Sequence, residues 1–207
     1  MFCSGSFEIP WKIWFFNTGS KTKGRDYNTT SLQDIGSKKN GHPVLIQYLK
    51  SRKVYEQREL VKELHYELNG KNYFGIGFEN NSGGFEIRNP YSKMCLGKKD
   101  VTLIQAEQNN KEIMIFEGFL DYLTFKNIDK AKNSDYLILN STVMLFKAMK
   151  KLNEYDKIYL FLDNDVNGRS TKAKIQSGYK GVEDCSLIYH DYKDLNEWFC
   201  SKGLTIE

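Results

Sequence analysis

The sequence predicts an α/β fold: a mostly parallel sheet flanked by helices, preceded by a smaller basic α+β subdomain. Three observations predict it. From Val101 onward, apolar runs of strand length alternate with segments of helical spacing. Two of these runs, in Ile113–Asp121 (IMIFEGFLD) and Ile158–Gly168 (IYLFLDNDVNG), end abruptly in carboxylates ahead of a helix. Upstream, short β-favouring runs are separated by Asn69-Gly70 and Asn80–Gly84, where Asn and Gly accept the positive φ that tight turns need.

Length and composition bound the rest. A chain of 207 residues with 40% apolar content can bury one good core with a smaller satellite. The net charge of only +4 permits nucleic acid as a partner without arguing for it, but the charge is unevenly placed. Between Lys21 and Lys62 stand ten basic residues against four acids. Four cysteines, Cys3, Cys95, Cys185 and Cys200, form no CxxC pair, and no secretory signal pattern precedes them, so they read as reduced thiols of a cytoplasmic protein. No apolar run approaches the roughly 20 residues that span a bilayer, so no membrane partner is expected.

Taken in order, Phe7–Phe16 alternates as a strand pair would, and Asn17–Gly41 reads as a basic loop. Trp11, Trp14, Phe15 and Phe16 are read as core or packed edge in preference to a base-stacking platform. Pro43 suits a first helical turn, and Val44, Leu45, Tyr48 and Leu49 continue a helix to about Arg52. A short helix over 55–62 leads into a meander of strands at 64–68, 73–79 and 83–88. Asn89–Thr102 reads as a loop carrying Lys93, Lys98 and Lys99. Strands are then expected at 101–105, 112–116, 136–139, 158–162 and 185–189, and helices at 118–127, 143–152, 168–177 and 194–202. These spans give three segments: a basic N-terminal one (1–62), a β-rich one (63–110) and the α/β part (111–207).

In an open parallel sheet the carboxyl ends of the strands line one crevice, so Glu117, Asp163 and Asp165 can converge. Asp163 and Asp165, two apart on a continuing strand, would point to one face and repel unless a cation or a proton lies between them. Three acids at a sheet edge point to a divalent metal. Gly118 leaves room for a ligand, Gly168 permits the turn into a helix, and Asp121 lies one helical turn after Glu117. Asp191, Asp194, Asn196 and Glu197 (DYKDLNE) add a third acidic cluster, in which Asp194 could also be a helix N-cap.

The order EGFLD, LNST (139–142), DNDVNG resembles the Toprim domain shared by bacterial-type primases, type IA and type II topoisomerases and some nucleases, over about 111–202. The aspartate four after the glutamate is similar to the primase form. The upstream NYFGIGFENNSGGFEIRNPYSKMCLGKKDVT resembles the basic β-rich subdomain of primase-like proteins of bacterial mobile elements, and DYKDLNEWF resembles their closing motif. The resemblance implies metal-dependent nucleotidyl transfer that makes RNA primers on single-stranded DNA from ribonucleoside triphosphates, with a replicative helicase as a candidate partner. It implies that Glu117, Asp163 and Asp165 are catalytic. The same three, with Asp194, would hold Mg²⁺ or Mn²⁺, and Glu117 is either ligand or general base. Gly118, Asp121 and Gly168 would support them, and Arg88, Lys93, Lys98 and Lys99 would meet phosphates. Alternatives of other classes are a non-catalytic DNA-binding replication accessory protein and a Toprim nuclease. Such primases usually begin with a zinc module, and FEIPWKIWFFNTGSKTKG resembles its tail. Only Cys3 and the distant His42 could serve as ligands, so no structural zinc is expected.

Overall fold

The computed structural model describes residues 28–34, 41–107, 110–129 and 134–202. The strand pair expected over Phe7–Phe16, its aromatic residues and Cys3 lie outside the described residues. Two five-stranded sheets organise the rest.

The first sheet is antiparallel, in the order β1 (Asn28–Asp34), β2 (Lys62–Leu68), β3 (Lys71–Glu79), β4 (Phe85–Arg88), β5 (Lys93–Leu96). The β2–β3 turn is Asn69-Gly70, with φ of 54° and 72°, the two consecutive positive values of a two-residue hairpin loop. Helix α1 (Pro43–Ser51) starts with proline at its first turn and buries Leu45 and Leu49, four residues apart. A 3₁₀ turn, Tyr55–Leu60, follows it. Two expectations need correction here. Asn28–Asp34 is an edge strand paired with β2, where a loop was expected. The expected loop over 89–102 contains β5, because Met94 and Leu96 reach the buried cluster of Leu64, Tyr66, Phe85 and Ile87.

The second sheet has the order β10 (Val182–Asp184), β9 (Lys157–Phe161), β7 (Glu112–Phe116), β8 (Asp135–Ile138), β6 (Thr102–Ile104). Strands β7 to β10 pair in parallel, and only β6 runs antiparallel, against β8. Helices α2 (Phe119–Ile128), α3 (Leu145–Leu152), α4 (Val166–Gly178) and α5 (Leu195–Ser201) cover it. Strand alternation divides the core in two. Ile113, Ile115, Ile158 and Leu160 pack with α3 and α4, and Met114, Phe116 and Phe161 pack on the other side with α2 and α5. That second cluster also takes in Leu45, Leu49, Ile76 and Phe78, so α1 and the far face of the first sheet share a core with the parallel sheet. Phe78 stacks on Phe119 at 5.3 Å between ring centroids.

The expected strand over 185–189 is instead a 3₁₀ turn, and the strand is Val182–Asp184. Asp184 caps the turn by accepting from the Ser186 backbone N–H, at 3.0 Å, while the apolar Leu187 and Ile188 that suggested a strand are exposed. None of the described helices is long and apolar enough to cross a membrane.

Candidate active site

From β7 the chain runs to β8 on one side; from β9 it runs to β10 on the other. The carboxyl ends of β7 and β9 are therefore a topological switch point, where open α/β sheets form their binding crevice. Phe116 and Phe161 are register partners, so Glu117 and Asp163 leave the two strands almost side by side. A cleft of about 250 Å³ opens there, and both acids line it together with Gly118, Asp121 and Asp194.

The opposite wall comes from the first sheet. Phe85 and Ile87 of β4 face one core, so by strand alternation Glu86 and Arg88 face the other way. Arg88 pairs in register with Lys93 of β5, and both side chains enter the cleft. Tyr48 and Arg52, from the end of α1, and Lys193 complete the polar lining.

The acids are held at a cost. Glu117 is partly buried, its Oε2 has no hydrogen-bond partner, and burial with the nearby Asp163 and Asp165 pushes its pKa up to about 7. Burial and Asp194 raise Asp163 to about 6, although Lys193 Nζ stands 3.6 Å from its Oδ2. Asp121 is buried in the wall of the cleft. Burial and the charges of Asp194 and Asp163 hold its pKa well above the carboxylate range, and its Oδ1 accepts from the Asn196 backbone N–H at 3.0 Å. The cations respond in two ways. Burial and Arg88 lower the pKa of Lys93, whereas for Lys193 the attraction of Asp163, Asp194 and Asp165 outweighs burial and raises it.

Asp165 and Asp194 are helix N-caps. Asp165 Oδ1 accepts from Gly168 N–H at 2.9 Å at the start of α4, and Asp194 Oδ1 accepts from Glu197 N–H at 2.7 Å at the start of α5. Each keeps its second oxygen, but Asp165 lies outside the cleft lining. Gly168 is required by packing, since a Cβ there would come 1.9 Å from the Asp163 carbonyl oxygen. At Gly118 a Cβ would meet only ordinary contacts, the nearest at 3.7 Å, so the cleft is open beside it. Lys98 and Lys99 are exposed on the turn after β5 and do not line the cleft. Among the described residues, no three His, Cys, Asp or Glu side chains are gathered closely enough to hold a metal ion.

Sequence reasoning missed Tyr48, Arg52, Lys193 and the organising role of Asn164. Asn164 Nδ2 donates to the carbonyls of Tyr189 and Tyr192, each at 3.0 Å, and its backbone N–H donates to the Lys193 carbonyl at 2.7 Å. Its position between two acids of the motif was the available signal. The side chain binds the loop carrying Lys193 to the end of β9.

Residues 114–199 match the Toprim-like family, and residues 34–97 match a domain of unknown function, DUF8464. The α/β part is thus a Toprim-like domain, with a primase-like fold. The chain superposes on the primase fragment of the bacteriophage T7 primase-helicase protein with a TM-score of 0.51 and 17% identity, over 75% of this chain and 66% of that one. It therefore spans just under two thirds of the length of that fragment. A second similar chain comes from the bacteriophage T7 lagging-strand DNA polymerase interacting with primase domains of two gp4 subunits bound to an RNA/DNA hybrid and dTTP. There the TM-score is 0.47 at 17% identity, over 68% of this chain and 76% of that one. No curated protein matches the chain.

Proposed function

We propose that this chain is a primase-type nucleotidyltransferase that builds RNA primers on single-stranded DNA from ribonucleoside triphosphates. One observation carries the reading: Glu117 and Asp163 stand at the switch point of a Toprim-like sheet, across one cleft from Arg88 and Lys93. Carboxylates that seek a cation and cations that seek an anion share a space, as metal-bound phosphate chemistry requires.

The residues fit a divalent ion. Glu117 has a buried oxygen without a partner, and burial, with the neighbouring acids adding to it, raises the pKa values of Glu117 and Asp163, so a cation bound there would relieve both. Glu117 and Asp163 would hold Mg²⁺ or Mn²⁺, with the second oxygens of Asp165 and Asp194 available to assist. The bound ion would neutralise phosphate charge and lower the pKa of an attacking hydroxyl.

In the reaction, a primer 3′-oxygen forms a bond to the α-phosphorus of the incoming nucleotide while the bond to pyrophosphate breaks. Glu117 would serve either as a ligand, through its free oxygen, or as the proton acceptor for that hydroxyl. Arg88 and Lys93 would hold phosphates as charged donors inside the cleft. Lys98 and Lys99 would meet the nucleic-acid backbone outside it. Residues 1–62, 63–110 and 111–207 would act as a DNA-approach segment, a phosphate wall and the catalytic unit. A replicative helicase in the cytoplasm is a fitting partner, since the similar T7 protein is a primase-helicase.

The test is primer synthesis on single-stranded DNA with labelled ribonucleotides and Mg²⁺ or Mn²⁺. The wild type should extend, and Asp163→Asn should lose at least about a hundredfold, as expected when a group that acts on the transition state is removed. Equal activity in the variant, or no synthesis on any template with either metal, would overturn the reading.

A further inference from the structure

Lys172, in the middle of α4, is a buried lysine, which proteins keep only where its charge is met. Its Nζ donates to Ser186 Oγ and, at 3.2 Å, to Asn164 Oδ1, and it forms an ion pair with Asp184 Oδ2 at 3.4 Å. Asp184 in turn accepts at Oδ1 from the Ser186 hydroxyl, at 2.6 Å, and from the Ser186 backbone N–H, at 3.0 Å. An ammonium has three protons, and this one meets three acceptors away from the cleft, which Lys172 does not line.

The polarity of this contact decides which way the Asn164 amide points. An ammonium only donates, so Asn164 must present Oδ1 to it, and that turns Nδ2 toward the carbonyls of Tyr189 and Tyr192. With the amide reversed, its N–H groups would face an ammonium and its oxygen would face two carbonyls. The Asn164 backbone N–H holds the Lys193 carbonyl, and Asp163 and Asp165 are its chain neighbours. Lys172 thus stands one hydrogen bond behind the acids that end β9 and behind the loop that brings Lys193 and Asp194 to the cleft.

We infer that Lys172 is a positioning residue of the active site: it touches no reacting group, and through the Asn164 amide it fixes Asp163 and Asp194 across the cleft from one another, and with them the affinity of the site for a divalent ion. The dependence of metal affinity rests on the site reading proposed above, whereas the placement of the loop does not. Groups that orient metal-binding side chains from behind act in this way, by holding carboxylates where a cation needs them.

The experiment measures metal binding and local opening without turnover. Lys172→Met keeps much of the side-chain length but none of the donors. Because it leaves the Asp184 carboxylate without its cation, the double variant Lys172→Met/Asp184→Asn is made beside it; this keeps an oxygen for the Ser186 N–H and removes the unpaired charge. Each is built with and without Asn164→Ala, on a Lys193→Met parent, so that the Lys193 ammonium does not mask the loss of Asp194. Mn²⁺ is titrated by electron paramagnetic resonance, and hydrogen exchange follows the Asn164 backbone N–H that holds the Lys193 carbonyl. Both Lys172 variants should bind Mn²⁺ about tenfold more weakly than the parent, the low end of what removing a group behind a metal ligand costs. Both should also exchange the Asn164 N–H at least about tenfold faster, as a locally opened segment does. On top of Asn164→Ala, the Lys172 changes should weaken Mn²⁺ by less than about twofold, because the two residues act in series. Parent-like Mn²⁺ affinity or parent-like exchange in the double variant would make Lys172 a purely structural lysine and overturn the inference, as would a full tenfold loss added to that of Asn164→Ala. If the parent binds no Mn²⁺, the metal reading of the cleft fails, and the exchange of the Asn164 N–H alone decides whether Lys172 places the loop.

Discussion

Lys193 Nζ stands 3.6 Å from Asp163 Oδ2, so the acid at the end of β9 already faces a cation from the loop that leads into α5. A metal ion at Asp163 would meet that ammonium as a like charge. Lys193→Met should therefore bind Mn²⁺ more tightly, by roughly twofold to fivefold, the range expected of one ion pair whose lysine is solvent-exposed. Electron paramagnetic resonance titration of free Mn²⁺ measures this, and unchanged or weaker binding would show that the pair has no such antagonism.

The pH dependence has a definite sign. Glu117 at about 7 and Asp163 at about 6 hold their protons more tightly folded than unfolded. The stability this contributes is complete below the unfolded carboxyl values of about 4 and is lost as pH rises through 6 and then 7. Asp121, also raised, acts in the same direction. In the absence of divalent ions the melting temperature should fall between pH 5 and pH 8, and Mg²⁺ should restore more of it at pH 8 than at pH 5. A melting temperature that rises over this range without metal would contradict the assignment.

Asn164→Ala removes the donors that hold the carbonyls of Tyr189 and Tyr192, and it also removes the acceptor for Lys172 Nζ at 3.2 Å. The expected loss is about 2–3 kcal/mol, at roughly 1 kcal/mol per hydrogen bond. Urea denaturation checks it. A change below about 0.5 kcal/mol would mean that water replaces these hydrogen bonds.

Gly168→Ala would bring a Cβ to 1.9 Å from the Asp163 carbonyl oxygen, a backbone atom that cannot step aside without moving the acid. A destabilisation of about 2 kcal/mol or more is expected, together with weaker Mn²⁺ binding. Calorimetry and Mn²⁺ titration on the same preparation would show both, and wild-type values in both would refute the close approach.

Lys98 and Lys99 lie outside the cleft on an exposed turn. If they meet the DNA backbone, the double alanine variant should bind oligo(dT) with a log–log salt slope shallower by about 1.4, or about 0.7 for each phosphate that is no longer neutralised. Anisotropy at several salt concentrations decides it, and an unchanged slope would remove both lysines from the DNA path.

Most of the fold was legible, because its signals are local. Apolar runs of strand length, helical spacing and the turn residues Asn69-Gly70 each report on a few neighbouring residues. The errors fell where local chemistry was ambiguous. Leu187 and Ile188 favour a strand, yet Asp184 captures the Ser186 N–H and turns the chain. Lys93–Leu96 reads as loop because it is short and follows Asn, Pro and Ser, and only packing against Ile87 and Phe85 makes it a strand.

The sequence by itself determined the order of most strands and helices, and which acids end the two central strands, since both follow from residue type and spacing along the chain. The tertiary structure decided the composition of the cleft. Arg88 and Lys93 meet Glu117 because cross-strand register and side-chain alternation turn one face of the first sheet toward the switch point. Arg52, Tyr48 and Lys193 join them only because α1 shares a core with α2, and because Asn164 binds the loop before α5 to the end of β9. Those placements depend on packing between residues far apart in the chain, which no local pattern encodes.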